Sequence, residues 1–301
     1  MKLLLTGATG LLGGALLELL LREGHDVRCL VREDSPNAAR LDPQRTEIVR
    51  GSADDEDILS RALSDVDALI HVAGLEYAPQ VVSAVEHANV GRLLMVGSTS
   101  VHSAHEHRSG WRRRMESLVR ESCSEWTILR PTMIYGSELD QNMHKLLRFL
   151  DRSPLFPIFG NGENLWQPVH YEDLARVMLT ALEKPEAINQ SYDLPGARPL
   201  TYLDLVHTAA AALGKKPTIV QLPIEPVRRV LRFAEHARIP LPIRSEQVMR
   251  LREDKAYPYE KVQQDLGYSP RAFPEGIAKE VTRLAEIGLV RTREPLNSTK
   301  F

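Results

Sequence analysis

The sequence predicts an α/β protein, a doubly wound parallel sheet with a smaller C-terminal lobe placed to cover a substrate. Three observations carry that expectation. Short apolar runs alternate with helical-period segments five times, with short connections between them. A glycine-rich turn, Gly7, Gly10 and Gly13, stands between the first run and the first helical segment. After Thr132 the alternation gives way to clustered prolines, glycines and aromatics.

The first strand is expected at Lys2, Leu3, Leu4 and Leu5, a short apolar run stopped by Thr6-Gly7 and hence buried on both faces. Leu11, Leu12, Ala15, Leu16, Leu19 and Leu20 then recur at helical spacing up to Gly24. Strand, G-x-x-G-x-x-G and helix together point to a bound pyrophosphate. A helix N-terminus offers unpaired N–H groups and the positive end of the dipole. Gly7 takes the tight turn, Gly10 lets phosphates near the backbone, and Gly13 brings helix and sheet together.

Residues 25–31 form the second strand, and its tip sets cofactor choice. A carboxylate there suits the ribose 2′-OH of NAD, an arginine the 2′-phosphate of NADP. Arg32 occupies the tip, with Arg28 further back, so NADP(H) is preferred; Glu33 keeps NAD(H) open. Strands follow at 46–50, 68–74 and 92–96, with helices at 56–63 and 80–88. A helix at 111–121 and a strand at 126–129 extend the pattern. The expected dinucleotide-binding domain is 1–136 plus 165–190, including a helix at 172–182. The substrate lobe comprises 137–164 and 191–290, with 197–290 irregular apart from short helices at 202–213 and 226–236, and 291–301 form a mobile tail.

Composition sets the outer bounds. The 301 residues are 43% hydrophobic and 26% charged with a formal net charge of −2, so nothing draws the chain to nucleic acid or to an anionic membrane. Arg112-Arg113-Arg114 is the one compact basic run and reads as a solvated helix face. Cys29 and Cys123 lack metal-ligand spacing, which predicts no metal site and a reducing, cytoplasmic setting. No apolar stretch reaches the roughly 20 residues of a membrane span. The expected partner is a small-molecule substrate, and a homodimer is left open.

These residues carry a family resemblance. Thr6-Gly7-Ala8-Thr9-Gly10-Leu11-Leu12-Gly13, Val72-Ala73-Gly74 and Val96-Gly97-Ser98-Thr99-Ser100 resemble the extended and atypical branches of the short-chain dehydrogenase/reductase superfamily, which includes the epimerase/dehydratases with their Rossmann domain. So do the stretches 126–136 and 167–175 and the late Leu266-Gly267-Tyr268-Ser269-Pro270. The resemblance implies that Gly7, Thr9, Gly10, Leu11, Leu12 and Gly13 hold the pyrophosphate and that Arg32 meets the adenosine phosphate. It further implies that Val72, Ala73 and Gly74 line the ribose, while Pro131, Thr132, Met133 and Ile134 shape the nicotinamide pocket.

Two departures stand against it. Relatives carry Tyr-x-x-x-Lys on the helix after strand five; counted back from Glu116, those positions hold Arg108 and Arg112. Many relatives also contact adenine through an aspartate where this chain has Ser52-Ala53. The acid/base group must then come from elsewhere. Ser98 or Thr99 would orient a carbonyl, Arg112 would supply the fixed positive charge of the missing lysine, and His102, His105, His107, Tyr77 or Tyr135 would carry the proton. The leading expectation is hydride transfer on a small carbonyl-containing metabolite by an atypical reductase, epimerase or dehydratase. Resemblance to the nitrogen-repression-regulator-like branch and to complex I accessory subunits supplies two alternatives, a non-catalytic NADP(H) sensor and an assembly or accessory protein.

Overall fold

Leu3 and Leu5 turn to one face of the first strand and Leu4 to the other, and all three are fully buried, Leu3 and Leu5 in one apolar layer and Leu4 in the opposite one. That alternation follows from the period of two in a strand, and it requires helices on both faces. In this computed structural model the described residues are 1–122, 124–236 and 253–291, without the side chains of 106–108, 230 and 234. They form two compact units, the first from 1–134, 169–195 and 257–270, the second from 135–168, 196–256 and 271–301.

The first unit is built on seven strands: β1 (Lys2–Thr6), β2 (Asp26–Val31), β3 (Glu47–Arg50), β4 (Ala68–His71), β5 (Arg92–Val96), β6 (Glu125–Pro131) and β7 (Gln190–Leu194). Their order is β7-β6-β5-β4-β1-β2-β3, and every neighbouring pair is parallel. The helices are α1 (Leu11–Arg22), α2 (Glu56–Ala62), α3 (Ala78–His87), α4 (Glu106–Glu121), α5 (Tyr171–Glu183) and α6 (Glu260–Leu266). Leu16 and Leu20 of α1, Leu174 and Met178 of α5 and Val262 of α6 share one layer with Leu3 and Leu5. On the opposite face, Leu59 of α2, Val81 of α3 and Val119 of α4 pack with Leu4, Leu69 and Leu93. At about 2 kcal/mol for each fully buried leucine, these two layers dominate the unit's stability. Strand order reverses between β1 and β4, and the carboxyl ends of those strands therefore flank the crevice where such sheets take ligands.

The doubly wound parallel sheet is as expected, with local differences. β7 was not anticipated: Gln190-Ser191-Tyr192-Asp193-Leu194 has few apolar residues because it is an edge strand, and only Tyr192 and Leu194 are buried. The sheet thus runs past residue 190, and 257–270 return to the same unit. Two hydroxyls fasten that return: Tyr268 Oη donates to the Pro195 carbonyl at 2.7 Å and Tyr192 Oη to the Asp265 carboxylate at 2.8 Å. α4 begins five residues before the expected start.

The second unit contains the helices Met143–Arg152, Tyr202–Ala212, Ile224–His236 and Phe273–Glu286, with a parallel strand pair, Leu155–Phe159 and Thr218–Leu222. The last of these helices contradicts the expectation that 197–290 is irregular beyond two short helices, and the first was not anticipated. Phe273–Glu286 buries Phe273, Ile277, Val281 and Leu284 at helical spacing, and its Gly276 marks a packing contact in place of a break. A Cβ on Gly276 would lie 2.0 Å from the Tyr135 hydroxyl. Among the described residues, no helix is long and apolar enough to cross a membrane and no cluster of metal-ligating side chains occurs. Cys123 and residues 292–301, the bulk of the expected tail, lie outside the described residues; the Arg291 N–H donates to the Asp151 carboxylate at 3.2 Å.

Candidate functional site

The glycine loop has little freedom. Gly7 has φ +75°, and a Cβ on it would sit 3.0 Å from the Ala73 nitrogen at the exit of β4. A Cβ on Gly13 would lie 2.1 Å from the Gly7 carbonyl oxygen, so only glycine lets α1 approach β1 this closely. Gly10 is the N-cap of α1, and the first intrahelical bond runs from the Gly14 N–H to its carbonyl at 2.9 Å. No side chain caps the helix and no acidic residue lies in its first turn. The N–H groups of Leu11, Leu12 and Gly13 therefore precede the intrahelical ladder, beside the positive end of the dipole. This cradle fits a pyrophosphate.

The exit of β4 is wired to that loop by groups the sequence did not single out. Thr6 and His71 are cross-strand partners of β1 and β4, and both are buried. Thr6 Oγ1 lies 2.9 Å from His71 Nδ1, while His71 Nε2 lies 2.8 Å from the Gly74 carbonyl. A carbonyl only accepts, so Nε2 carries the proton and Nδ1 accepts from the Thr6 hydroxyl. The same hydroxyl oxygen accepts the Val72 and Ala73 N–H groups at 3.2 and 3.3 Å. Burial drives the His71 pKa down to about 4, keeping the ring neutral in this role. Val72, Ala73 and Gly74 are thereby fixed next to the glycine loop.

At the tip of β2, Arg32 is largely exposed, with its Nε 3.9 Å from Asp34 Oδ1. Ser35 Oγ, three residues further on, donates to Thr9 Oγ1 at 3.1 Å and ties this tip to the glycine loop. Arg28 points elsewhere: it is buried, pairs with Glu47 at 2.8 Å and donates to the Ala62 and Ser64 carbonyls.

A chain of charges crosses the carboxyl ends of β6 and β7. Glu116 of α4 is fully buried and receives Arg130 in a two-pronged contact, Nε to Oε1 at 2.8 Å and Nη2 to Oε2 at 2.7 Å. Arg120 adds a third bond at 2.7 Å. Gly97 makes room, since a Cβ there would stand 3.2 Å from Glu116 Oε1. Arg130 Nη1 reaches Asp193 Oδ1 at 3.5 Å, and both Asp193 oxygens lie 3.0 Å from His102 Nε2. His102 thus donates through Nε2, which leaves Nδ1 as its exchangeable position. Its ring stands 5.5 Å from that of Tyr257.

The remaining expected residues take varied places. Ser98 caps the turn Thr99–His102; its Oγ accepts from the Ser100 N–H at 3.2 Å and the Ser100 hydroxyl at 2.9 Å, which leaves its own hydrogen to donate. Thr99 is buried with its hydroxyl 3.4 Å from the Pro131 carbonyl. The Thr132 N–H donates to the Leu194 carbonyl, Met133 accepts from Val169, and Ile134 packs on the core. Arg112 lies 4.4 Å over the Trp111 ring. Arg113, read as part of a solvated face, donates to the Val101 carbonyl at 3.2 Å and braces the His102 turn. Tyr77 sits edge-on to His71, and Tyr135 is buried in the second unit against Phe273. His105 stands at the N-cap of α4, and the side chains of His107 and Arg108 lie outside the described residues. Asp193 escaped the sequence reading because it lies on the unanticipated β7; the i, i+2 alternation of Tyr192 and Leu194 was its available signal.

Comparisons with known proteins agree with this geometry. A family model described as NAD(P)H-binding matches residues 7–185. The chain is 25% identical over 269 residues to an Arabidopsis thaliana protein named NADH dehydrogenase [ubiquinone] 1 alpha subcomplex subunit 9, mitochondrial, covering 81% of this chain and 66% of that one. Of an uncharacterized Mycobacterium tuberculosis relative, 25% identical, it covers 26%. It is 27% identical to a ceramide reductase from Caulobacter vibrioides, over 73% of each chain. In structure it resembles UDP-glucuronic acid 4-epimerase from Bacillus cereus in complex with NAD, with a TM-score of 0.73, 18% identity and coverage of 95% and 99%.

Proposed function

The chain belongs to the NAD(P)H-binding family, with the fold of the extended short-chain dehydrogenase/reductases, and from that premise we propose that it is an atypical NADP(H)-dependent reductase of a small carbonyl-containing molecule. The observation that carries the proposal is the His102–Asp193 contact at 3.0 Å, beside the turn that follows β5. In this reading the loop Gly7–Gly13 holds the pyrophosphate, with Thr9, Leu11 and Leu12 in the cradle, and Val72–Gly74 form the ribose wall. When bound, the dinucleotide supplies or accepts a hydride. Ser98 donates its free hydrogen to the substrate oxygen, and His102 exchanges the proton at Nδ1 while Asp193 holds the ring and stabilises its charged form. Arg112 serves as fixed charge only, since a guanidinium does not deprotonate at working pH.

The preference for NADP(H) rests on Arg32, an exposed cation at the strand tip where NAD-selective sites place a carboxylate. A second reading, a dinucleotide-binding accessory protein or sensor, is favoured by one observation. The Thr99 hydroxyl, one of the two expected to orient a carbonyl, is turned onto the Pro131 carbonyl. The likeness to the Arabidopsis subunit supports the same reading.

Fluorescence titration with NADPH and NADH, followed by turnover against a panel of ketones and aldehydes, tests both. The reductase reading expects tight binding of NADPH and oxidation of it by at least one class of carbonyl. Binding of neither dinucleotide overturns both readings; tight binding with no turnover across the panel leaves the second.

A further inference from the structure

The helix Met143–Arg152 of the second unit carries a feature that dinucleotide chemistry does not use. Met143, Leu147 and Leu150 are buried on one side of it. Lys145, Arg148 and Arg152, at i, i+3 and i+7, line the other side, where with Phe149 and Ser153 they bound an open cleft of about 310 Å³. Among the described residues, no carboxylate lines this cleft. The nearest acid on the helix, Asp151, is held 3.3 Å from Lys215 Nζ. The Arg148 Nε–H is buried and meets no acceptor among the described residues. A buried, charged donor left open is destabilising, a penalty an incoming anion would remove. A helix-dipole role accounts for Arg152 in the last turn but not for Arg148 in mid-helix.

From this geometry we propose that the cleft binds a phosphate group, carried by a ligand whose apolar part rests on Phe149. Two arginines supply the flat, forked donors that match phosphate oxygens, and Lys145 adds a point charge. Phe149, 44% exposed, and Leu155, 52% exposed just beyond the helix, are the exposed apolar residues beside the charges. A soluble phosphate ester and a phospholipid headgroup present the same chemistry to these side chains.

The test uses the full chain saturated with NADPH, so that the glycine loop is already filled. Calorimetry with pyrophosphate forms one arm, and co-sedimentation with phosphatidylglycerol vesicles, against phosphatidylcholine vesicles, the other. Binding in the first arm identifies a soluble phosphate ligand, and binding in the second alone identifies a headgroup. In either, Arg148→Gln is expected to weaken binding at least tenfold, and Arg61→Gln on α2, a charge-matched control, to leave it unchanged. Should Arg148→Gln fail to fold, the exposed pair Lys145→Gln/Arg152→Gln carries the same expectation. Absence of binding in both arms, or variants that bind like the wild type, overturns the proposal.

Discussion

The hydroxyl of Thr6 and the imidazole of His71 share one proton direction: Thr6 donates to Nδ1 because Nε2–H is committed to the Gly74 carbonyl. The arrangement requires a neutral ring, and burial lowers the His71 pKa to about 4. A histidine whose folded pKa lies below its unfolded value of about 6.5 contributes no pH dependence above that value. Below it the unfolded chain takes up the proton first, so stability falls as pH drops from about 6.5 toward 4, by about 3 kcal/mol in all. Denaturant unfolding across that range is expected to show this slope in the wild type and to lose it in His71→Gln. Thr6→Val strands the Val72 and Ala73 N–H groups and is expected to cost about 1–3 kcal/mol and to weaken dinucleotide binding.

Arg32→Asp is expected to weaken NADPH far more than NADH, because the exchange removes a cation and places a carboxylate against the 2′-phosphate. Side-by-side titrations read the ratio. Equal losses for both cofactors would show that Arg32 is not the phosphate's partner.

His102→Ala is expected to lower kcat by about 10²–10⁴ with little change in dinucleotide affinity. Asp193→Asn, which keeps the shape but not the charge, is expected to lower it less and to shift the pH profile of kcat. An unaltered kcat in His102→Ala would exclude that ring as the proton carrier. Glu116→Gln would leave buried Arg130 short of its full counter-charge and is expected to destabilise the fold, by up to about 3–5 kcal/mol in unfolding measurements.

Much of the first unit was legible in the sequence because its strands are apolar on both faces and its first loop needs glycine for steric reasons. Leu3–Leu5 and Gly13 declare their surroundings in their own chemistry. What stayed hidden depends on partners distant in sequence. Asp193 lies on a polar edge strand that has no signature until Tyr192 and Leu194 are seen to be buried. His71 reads as one more strand residue until Thr6 stands opposite it. The helix Phe273–Glu286 was masked by a proline and a glycine near its start, the first suited to an opening turn and the second required by the Tyr135 ring.

Glu280 gives a prediction of opposite sign to that of His71. It is fully buried in the second unit; desolvation first, and the neighbouring Asp140 carboxylate second, raise its pKa to about 10. The folded state keeps a proton that the unfolded chain releases above about 4.5, so this group erodes stability as pH rises from about 4.5 toward 10. Glu280→Gln needs no proton. It is expected to stabilise the protein at pH 7, on the order of 1–3 kcal/mol, and to flatten that decline, as thermal melts at pH 5, 7 and 9 would register.

The first unit draws on three separate stretches, the last being 257–270, fastened by Tyr268 to Pro195 and by Tyr192 to Asp265. Translation therefore completes the glycine loop roughly 250 residues before the last fastening, which arrives only near residue 270. Between those two points the nascent sheet waits with its β7 edge unformed or unfastened, and at roughly 5–20 residues per second that interval lasts several seconds or longer. Messages cut short before residue 257 would yield a chain that carries every glycine of the loop yet lacks the clasp on its sheet, a natural substrate for proteolysis.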